Sequence, residues 1–226
     1  MSLQIRVGVP KNQRGRVAQI FYETFQDKLK RVFGNKQKFE SLIASSLRDD
    51  RILVALMDEV VVGFAGLHYH KKTYLDLSYS KIVGIFGLTT IRALLFFIIS
   101  SFNKPKPHQL HLDTLAVSTE EQGKGIGTRL LQSTIDLART KKISQIKLEV
   151  IQTNQKAKKL YEKIGFKTAK VTNIPYPFSC IIGFRSFDEM HYNLKKYEYP
   201  ELNFNPKPKL TKFEKPKCYF LVLIKN

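Results

Sequence analysis

The sequence has little cysteine, and what it has is dispersed. Cys180 and Cys218 are the only two cysteines in 226 residues. That count excludes a disulfide framework, and their spacing excludes a Cys-x-x-Cys metal pair. The first residues also lack the apolar stretch of a secretory signal peptide. We therefore expect a protein of a reducing compartment, the cytoplasm.

Acidic residues are also scarce. The chain has 19 Asp and Glu against 38 Lys and Arg, a formal net charge of +19. Such a balance favours anionic partners: nucleotides, nucleic acid, acidic proteins or an anionic membrane surface. However, the lysines are spread along the whole sequence, which is typical of a solvated surface. Hydrophobic residues make up 43% of the chain, enough to bury a core.

Apolar periodicity predicts an α/β fold with a mixed sheet and helices on both faces. Strands are predicted at 3–9, in two runs of 51–70 that meet at Asp58-Glu59, and at 109–117, 144–151, 166–172 and 187–197. Helices are predicted at 14–33, from about 37 to 47, from the glycine-rich loop to about 140, and at 155–164.

The glycine-rich loop lies between a strand and a helix and reads "EEQGKGIGTRLL" (120–131). It has neither the Gly-Lys-Ser/Thr ending of a P-loop nor the third glycine of a dinucleotide fingerprint, since position 128 is Thr. Glycines at the start of a helix let backbone N–H groups approach a phosphate closely. A tight strand-to-helix turn without a ligand explains the same glycines equally well.

Two segments together resemble the GCN5-related N-acetyltransferases. "LAVSTEEQGKGIGTRLL" (115–131) is similar to the acetyl-CoA-binding motif of that family, and "NQKAKKLYEKIGF" (154–166) to its second motif. One helix and one strand separate the two segments, as in the family. The resemblance is specific over 109–166 and looser over 3–70 and 166–197. It implies a mostly antiparallel, twisted sheet flanked by helices, with splayed central strands.

The resemblance also implies acetyl-CoA as co-substrate and a set of residues that would bind it. Leu115 and Val117 would pair their main chains with the pantetheine arm, and Asn154 would contact that arm or order the cleft. The backbone amides that would hold the pyrophosphate are those of Gln122, Gly123, Lys124, Gly125, Ile126, Gly127 and Thr128. A backbone N–H, that of Val117, would stabilise the tetrahedral oxyanion.

Tyr161 is the candidate acid that protonates the leaving thiolate. It also lies on the apolar stripe of its helix, so a core-packing role competes with the acid role. His111 is the candidate base near neutral pH, because family members carry a proposed base in this stretch. Asp113 replaces a second histidine and would orient His111, bind the amine or face solvent. Glu149 and a water molecule are alternative bases.

Other reactive side chains are given no catalytic role. His68 and His70 are predicted to share a strand face, either in the acceptor-side wall or on the surface, but the sequence specifies no third metal ligand. No metal is therefore expected. Cys180 is not expected to be a nucleophile, because the family acetylates by direct attack.

Residues 82–102 are the most apolar stretch and are long enough to cross a bilayer. The strands on either side of this stretch belong to one sheet, so we expect a helical insert, not a membrane span. It would line an apolar pocket, form a homodimer contact or touch an anionic membrane. Residues 1–197 are then the acetyltransferase domain with this insert, and 198–226 form a basic Pro- and Lys-rich extension.

The sequence thus predicts an N-acetyltransferase that moves an acetyl group from acetyl-CoA to a primary amine of a small molecule, peptide or protein. The competing hypotheses are a non-catalytic module that binds CoA or nucleic acid, and an acyltransferase at the membrane surface. The tail is basic but has few aromatics, so a nucleic-acid partner has no firm support.

Overall fold

The computed structural model describes residues 2–33, 35–87, 105–176, 179 and 184–194. The strands are β1 Leu3–Val7, β2 Ile52–Met57, β3 Val60–His68, β4 Gln109–Val117, β5 Gln145–Ile151, β6 Lys167–Asn173 and β7 Ser186–Asn193. The helices are α1 Arg14–Phe33, α2 Lys36–Ser46, α3 Tyr79–Phe86, α4 Ile126–Thr140 and α5 Gln155–Ile164, with short 3-10 turns between some elements.

The strands form a single seven-stranded sheet in the order β1-β2-β3-β4-β5-β7-β6. All neighbours are antiparallel except β4 and β5, which are parallel. The predicted hairpin corner between β2 and β3 is confirmed, because Asp58 and Glu59 both have positive φ angles, 47° and 66°. A two-residue turn in which both residues have a positive φ angle fits the right-handed twist of the strands that it connects.

Each face of the sheet carries its own apolar core, as predicted. Helices α1, α2 and α3 bury a core rich in aromatic side chains, in which Phe21 packs against Phe39 and Phe64. Helices α4 and α5 cover the opposite face, where Leu130, Ile135 and Tyr161 are buried. The three- and four-residue spacings found in the sequence thus place one stripe of each helix on the sheet.

The two central parallel strands separate along their length. β4 pairs with β5 only over Gln109–His111 and Gln145–Lys147. Beyond His111, β4 continues to Val117 alongside β3 alone, while β5 continues to Ile151 alongside β7. The splayed strands that the family resemblance implies are therefore present, and a gap opens in the middle of the sheet.

Some predictions need correction or fall outside the described residues. The last strand ends at Asn193, not at 197. His70 does not share a strand face with His68, because β3 ends at His68 and His70 lies in a turn with a φ of 49°. The predicted apolar insert is described only in part: its residues 82–86 belong to the end of helix α3, and 88–102 lie outside the described residues. Cys180, Cys218 and the extension 198–226 also lie outside them. No helix within the described ranges is long and apolar enough to cross a bilayer.

Candidate active site

Backbone N–H and C=O groups of β4 face the gap between β4 and β5. Ser118 N–H donates to the Val62 carbonyl at 2.8 Å. In an antiparallel pair, every second residue bonds to a given neighbour. Leu115 and Val117 therefore direct their N–H and C=O groups away from β3, toward the side from which β5 has departed. Such a strand edge can accept an extended ligand as if it were another strand.

The glycine-rich loop leads from the end of β4 to the first turn of α4. Gly123 and Gly125 have positive φ angles, 82° and 79°. No described atom lies within 4 Å of a Cβ built on either glycine. Gly125 is the residue before α4, and no described side chain caps that helix start. The first N–H groups of α4 and the positive end of its dipole are therefore available to an anion.

The side chain of Gln122 fixes the loop to the strand. Its Nε2 donates to the Val117 carbonyl at 3.2 Å. Lys124 extends from the exposed part of the loop and pairs with Glu121 at 2.9 Å. One end of the loop is thus held to β4 by Gln122, and the exposed part carries the cationic side chain of Lys124. Both features suit a phosphate-bearing ligand.

Asn154 connects β5 to α5. Its Oδ1 accepts a hydrogen bond from Ala157 N–H at 3.1 Å, so the side chain caps the helix. The side chain is buried. The structure therefore shows Asn154 as the cap of α5, and both roles expected for it in the site, contact with the pantetheine arm and ordering of the cleft, stay predictions.

Tyr161 lies on the buried stripe of α5. Its side chain is 0% exposed and packs in the same core as Leu115 and Val150, residues of the two diverging strands. Its hydroxyl has no hydrogen-bond partner among the described residues. Burial raises the pKa of Tyr161, so the hydroxyl keeps its proton at neutral pH. A buried hydroxyl without a partner is costly, which favours a partner supplied by a ligand.

His111 lies between two carboxylates where β4 and β5 begin to diverge. Its Nδ1 is 2.7 Å from Asp113 Oδ1, and its Nε2 contacts Glu149 Oε2. Burial lowers the pKa of His111, but the charges of Glu149 and Asp113 outweigh that effect and raise it to about 10. At neutral pH the ring is therefore already protonated. In this arrangement the two carboxylates are the hydrogen-bond acceptors of the ring, and the role of His111 as base stays a prediction.

The polar cluster extends across the sheet to residues that sequence reasoning missed. Lys147 Nζ lies 3.0 Å from Glu149 Oε1 and 2.9 Å from Glu189 Oε2. Glu189 also contacts His191 Nε2 at 2.9 Å. The pKa of Lys147 is raised, because the two carboxylates outweigh the effect of burial. Alternation of charged residues along 145–149 and 187–191 was the available signal, but only the pairing of β5 with β7 brings them together.

Residues 16–166 of this chain match the profile of the acetyltransferase (GNAT) family. The chain belongs to the GNAT family. Among curated proteins, it is 32% identical over 84 residues to a probable N-acetyltransferase camello of Xenopus tropicalis, covering 37% of each chain. It is 31% identical over 65 residues to a thialysine N-epsilon-acetyltransferase of Bos taurus, covering 29% of this chain and 38% of that protein. The chain thus matches well under half the length of these relatives.

A solved GNAT structure, a GCN5-related N-acetyltransferase from Kribbella flavida, shares the fold. It has a TM-score of 0.54 and 20% identity, and the match covers 85% of this chain and 98% of that one. The GNAT fold accounts for the order of the elements, for the splayed strands and for the position of the glycine-rich loop between β4 and α4. The predicted family and fold class are therefore confirmed, whereas the roles of individual residues stay predictions.

Proposed function

We propose that this GNAT protein is an N-acetyltransferase that uses acetyl-CoA and transfers the acetyl group to a primary amine by direct attack in a ternary complex. The observation that carries the proposal is the gap between β4 and β5. It begins at His111, is bordered by the outward backbone of Leu115 and Val117, and leads to the glycine-rich loop. The hydroxyl of Tyr161, which no described residue hydrogen-bonds, lies in the core beside these strands.

The described residues fit the donor. The amides of Gln122 to Thr128 would hold the pyrophosphate, because Gly123 and Gly125 leave open space above the backbone. Leu115 and Val117 would pair with the pantetheine arm, and Asn154 would hold α5 in place beside it. When bound, acetyl-CoA supplies an activated acyl group and a thiolate leaving group.

The acceptor amine is a cation at neutral pH and must lose a proton before it attacks. The buried group of Asp113, His111 and Glu149 lies at the start of the gap and carries two carboxylates. We assign to the carboxylates the attraction of the ammonium and the uptake of its proton. His111 lies between the two carboxylates and holds both of them in position. Tyr161, whose hydroxyl carries its proton at neutral pH, donates that proton to the sulfur of the departing thiolate and regains one from solvent.

The relatives' names agree with an amine acceptor. The Bos taurus relative is named for transfer to the ε-nitrogen of thialysine. The carboxylates of Asp113 and Glu149 at the start of the gap can accept hydrogen bonds from an ammonium group, in addition to those from His111 and Lys147. We therefore propose a small or peptidic primary amine as the acceptor.

The test is a two-step measurement on the full-length protein. Calorimetric titration with acetyl-CoA is expected to show one site per chain with micromolar affinity. Acceptors are then identified by testing a panel of primary amines and measuring the free thiol that each reaction releases. Binding without turnover on small amines, peptides or protein lysines would leave a non-catalytic CoA-binding module. No binding to a folded protein would overturn the assignment of the glycine-rich loop.

A further inference from the structure

Two histidines of neighbouring strands face each other beside the proposed cleft. His68 of β3 is paired directly with His111 of β4 in the antiparallel register. Side chains at directly opposed positions extend from the same face of a sheet. Asp113 follows on that face, and one ligand atom from each of these three residues lies within 4.8 Å of the others.

The spacing is close to that of a metal site. A tetrahedral ion with bonds of about 2.1 Å to nitrogen and oxygen holds its donor atoms about 3.4 Å apart. His111 Nδ1 and Asp113 Oδ1 are 2.7 Å apart. These two atoms would therefore move apart by about 0.7 Å to hold one ion. Two imidazoles and one carboxylate form a donor set that Zn²⁺ uses in proteins.

Neighbouring side chains already orient these donors. Glu149 contacts Nε2 of His111, which leaves Nδ1 of the ring toward Asp113. Thr73 Oγ1 donates to Asp113 Oδ2 at 3.0 Å, which leaves Oδ1 toward His111. Protein metal sites commonly have a carboxylate on the far nitrogen of a ligating histidine and a hydrogen bond on the ligating carboxylate. Both features are present here.

The three residues differ in exposure. His111 and Asp113 are buried, whereas His68 is half-buried. An ion can therefore reach the cluster from the side of His68, and a water molecule can complete a fourth position. His70 lies two residues farther along, in an exposed turn, and is not part of the cluster.

We infer that His68, His111 and Asp113 form a binding site for a divalent transition-metal ion, with Zn²⁺ as the best match, and that the ion displaces the proton on Nδ1 of His111 to solvent when it binds. The bound ion would inhibit acetyl transfer, because it engages the two residues that lie at the start of the gap. The inhibitory part rests on the proposed function, whereas the binding part does not.

Binding is tested with tag-free, full-length protein that has been freed of metal by a chelator and dialysis. Titration with ZnCl₂ in a calorimeter is expected to show one site per chain. His68→Ala is expected to weaken binding at least about 100-fold, since even loss of a partner outside the donor set costs 10- to 100-fold. Thr73→Val is expected to weaken it roughly 10-fold. Thermal unfolding checks that each variant is folded.

His70→Ala is the matched control, because it removes a histidine of the same segment outside the cluster. Its Zn²⁺ affinity is expected to equal that of the parent. Equal affinity of the parent and a folded His68→Ala protein would overturn the site, as would absence of binding to the parent. Co²⁺ provides a second readout, since a tetrahedral site with nitrogen donors gives intense visible absorption that His68→Ala should abolish.

Inhibition is tested separately with an acceptor that the metal-free protein acetylates. Added ZnCl₂ is expected to reduce the rate of the parent and of His70→Ala, but not that of His68→Ala. A parent that binds Zn²⁺ and keeps its full rate would overturn the inhibitory part alone. If no amine is acetylated by metal-free protein, the proposed function fails while the calorimetric result for the site still stands.

Discussion

The hydroxyl of Tyr74 lies 2.7 Å from Thr114 Oγ1. Both groups are buried. Tyr161 is equally buried, yet its hydroxyl has no partner among the described residues. The two tyrosines are buried on opposite faces of one sheet. They differ in whether their hydroxyl has a hydrogen-bond partner among the described residues. The folded chain thus satisfies the hydroxyl of Tyr74, whereas no described residue satisfies that of Tyr161.

Tyr161→Phe is expected to reduce kcat roughly 100- to 10,000-fold, the range for loss of a general acid. Affinity for acetyl-CoA should change little. The free energy of unfolding should stay the same or rise, because the substitution removes a buried hydroxyl without a partner. Tyr74→Phe is the matched control and should lower it by about 1 kcal/mol, because Thr114 loses its partner. A parental kcat in Tyr161→Phe, measured with saturating acetyl-CoA, would return Tyr161 to a packing role.

Asn154 offers a way to separate capping from ligand contact. Asn154→Ala should lower the free energy of unfolding by about 1 kcal/mol, because the first turn of α5 loses its cap. Asn154→Asp keeps an oxygen for Ala157 N–H and should retain most of that stability. Urea unfolding and calorimetric titration with acetyl-CoA are both needed. If Asn154→Asp is stable but binds acetyl-CoA as weakly as Asn154→Ala, the side-chain amide contacts the ligand directly.

Gly125 tests the loop. Gly125→Asn should weaken acetyl-CoA binding at least about 10-fold, because a side chain would fill the space above the loop amides. Asn tolerates positive φ better than most residues, so backbone strain contributes little. Gly8→Asn is the control: Gly8 also has a positive φ, 88°, but lies beyond β2 and β3 from the gap. Unchanged affinity in a folded Gly125→Asn protein, measured by titration, would exclude the loop as the pyrophosphate site.

Local patterns predicted the elements that border the gap. Helix α5 was predicted at 155–164 and is found there, because its apolar stripe and the following Gly165 are both signals within a few residues. The glycine-rich loop was predicted for the same reason. Both features depend on neighbours in sequence, so one sequence suffices to find them.

The polar cluster could not be predicted, because it depends on pairing between distant segments. Glu149 was considered alone as a base, and its contact with His111 depends on the parallel register of β4 and β5. Asp113 is the extra residue of a bulge, since Gly66 is paired with Thr114 and Leu67 with Leu112. A bulge is a property of two strands. Neither the register nor the bulge can be inferred from one segment.

Glu189 links the cluster to acid stability. Burial raises the pKa of Glu189, but its hydrogen bond to Lys147 and the charges of Lys147 and His191 outweigh burial and lower it. A lowered pKa contributes stability above the pKa of the unfolded chain, about 4.3. That contribution is lost as the pH falls through the lower value of the folded state.

Glu189→Gln is therefore expected to lower the free energy of unfolding near pH 7 by about 1 to 3 kcal/mol, the range for a hydrogen bond to a charged group. The difference from the parent should shrink as the pH falls below about 4.3, because the unfolded chain binds the proton first, and it should vanish below the lowered pKa of Glu189 in the folded state. Glu120→Gln is the control, because Glu120 has a side chain 83% exposed and makes only a 3.9 Å ion pair with Arg16. It should change stability by less than about 0.5 kcal/mol throughout. Urea unfolding at several pH values measures the stability of both variants and of the parent. If the stability difference between Glu189→Gln and the parent stays constant with pH, the charge of Glu189 is not the source of that stability.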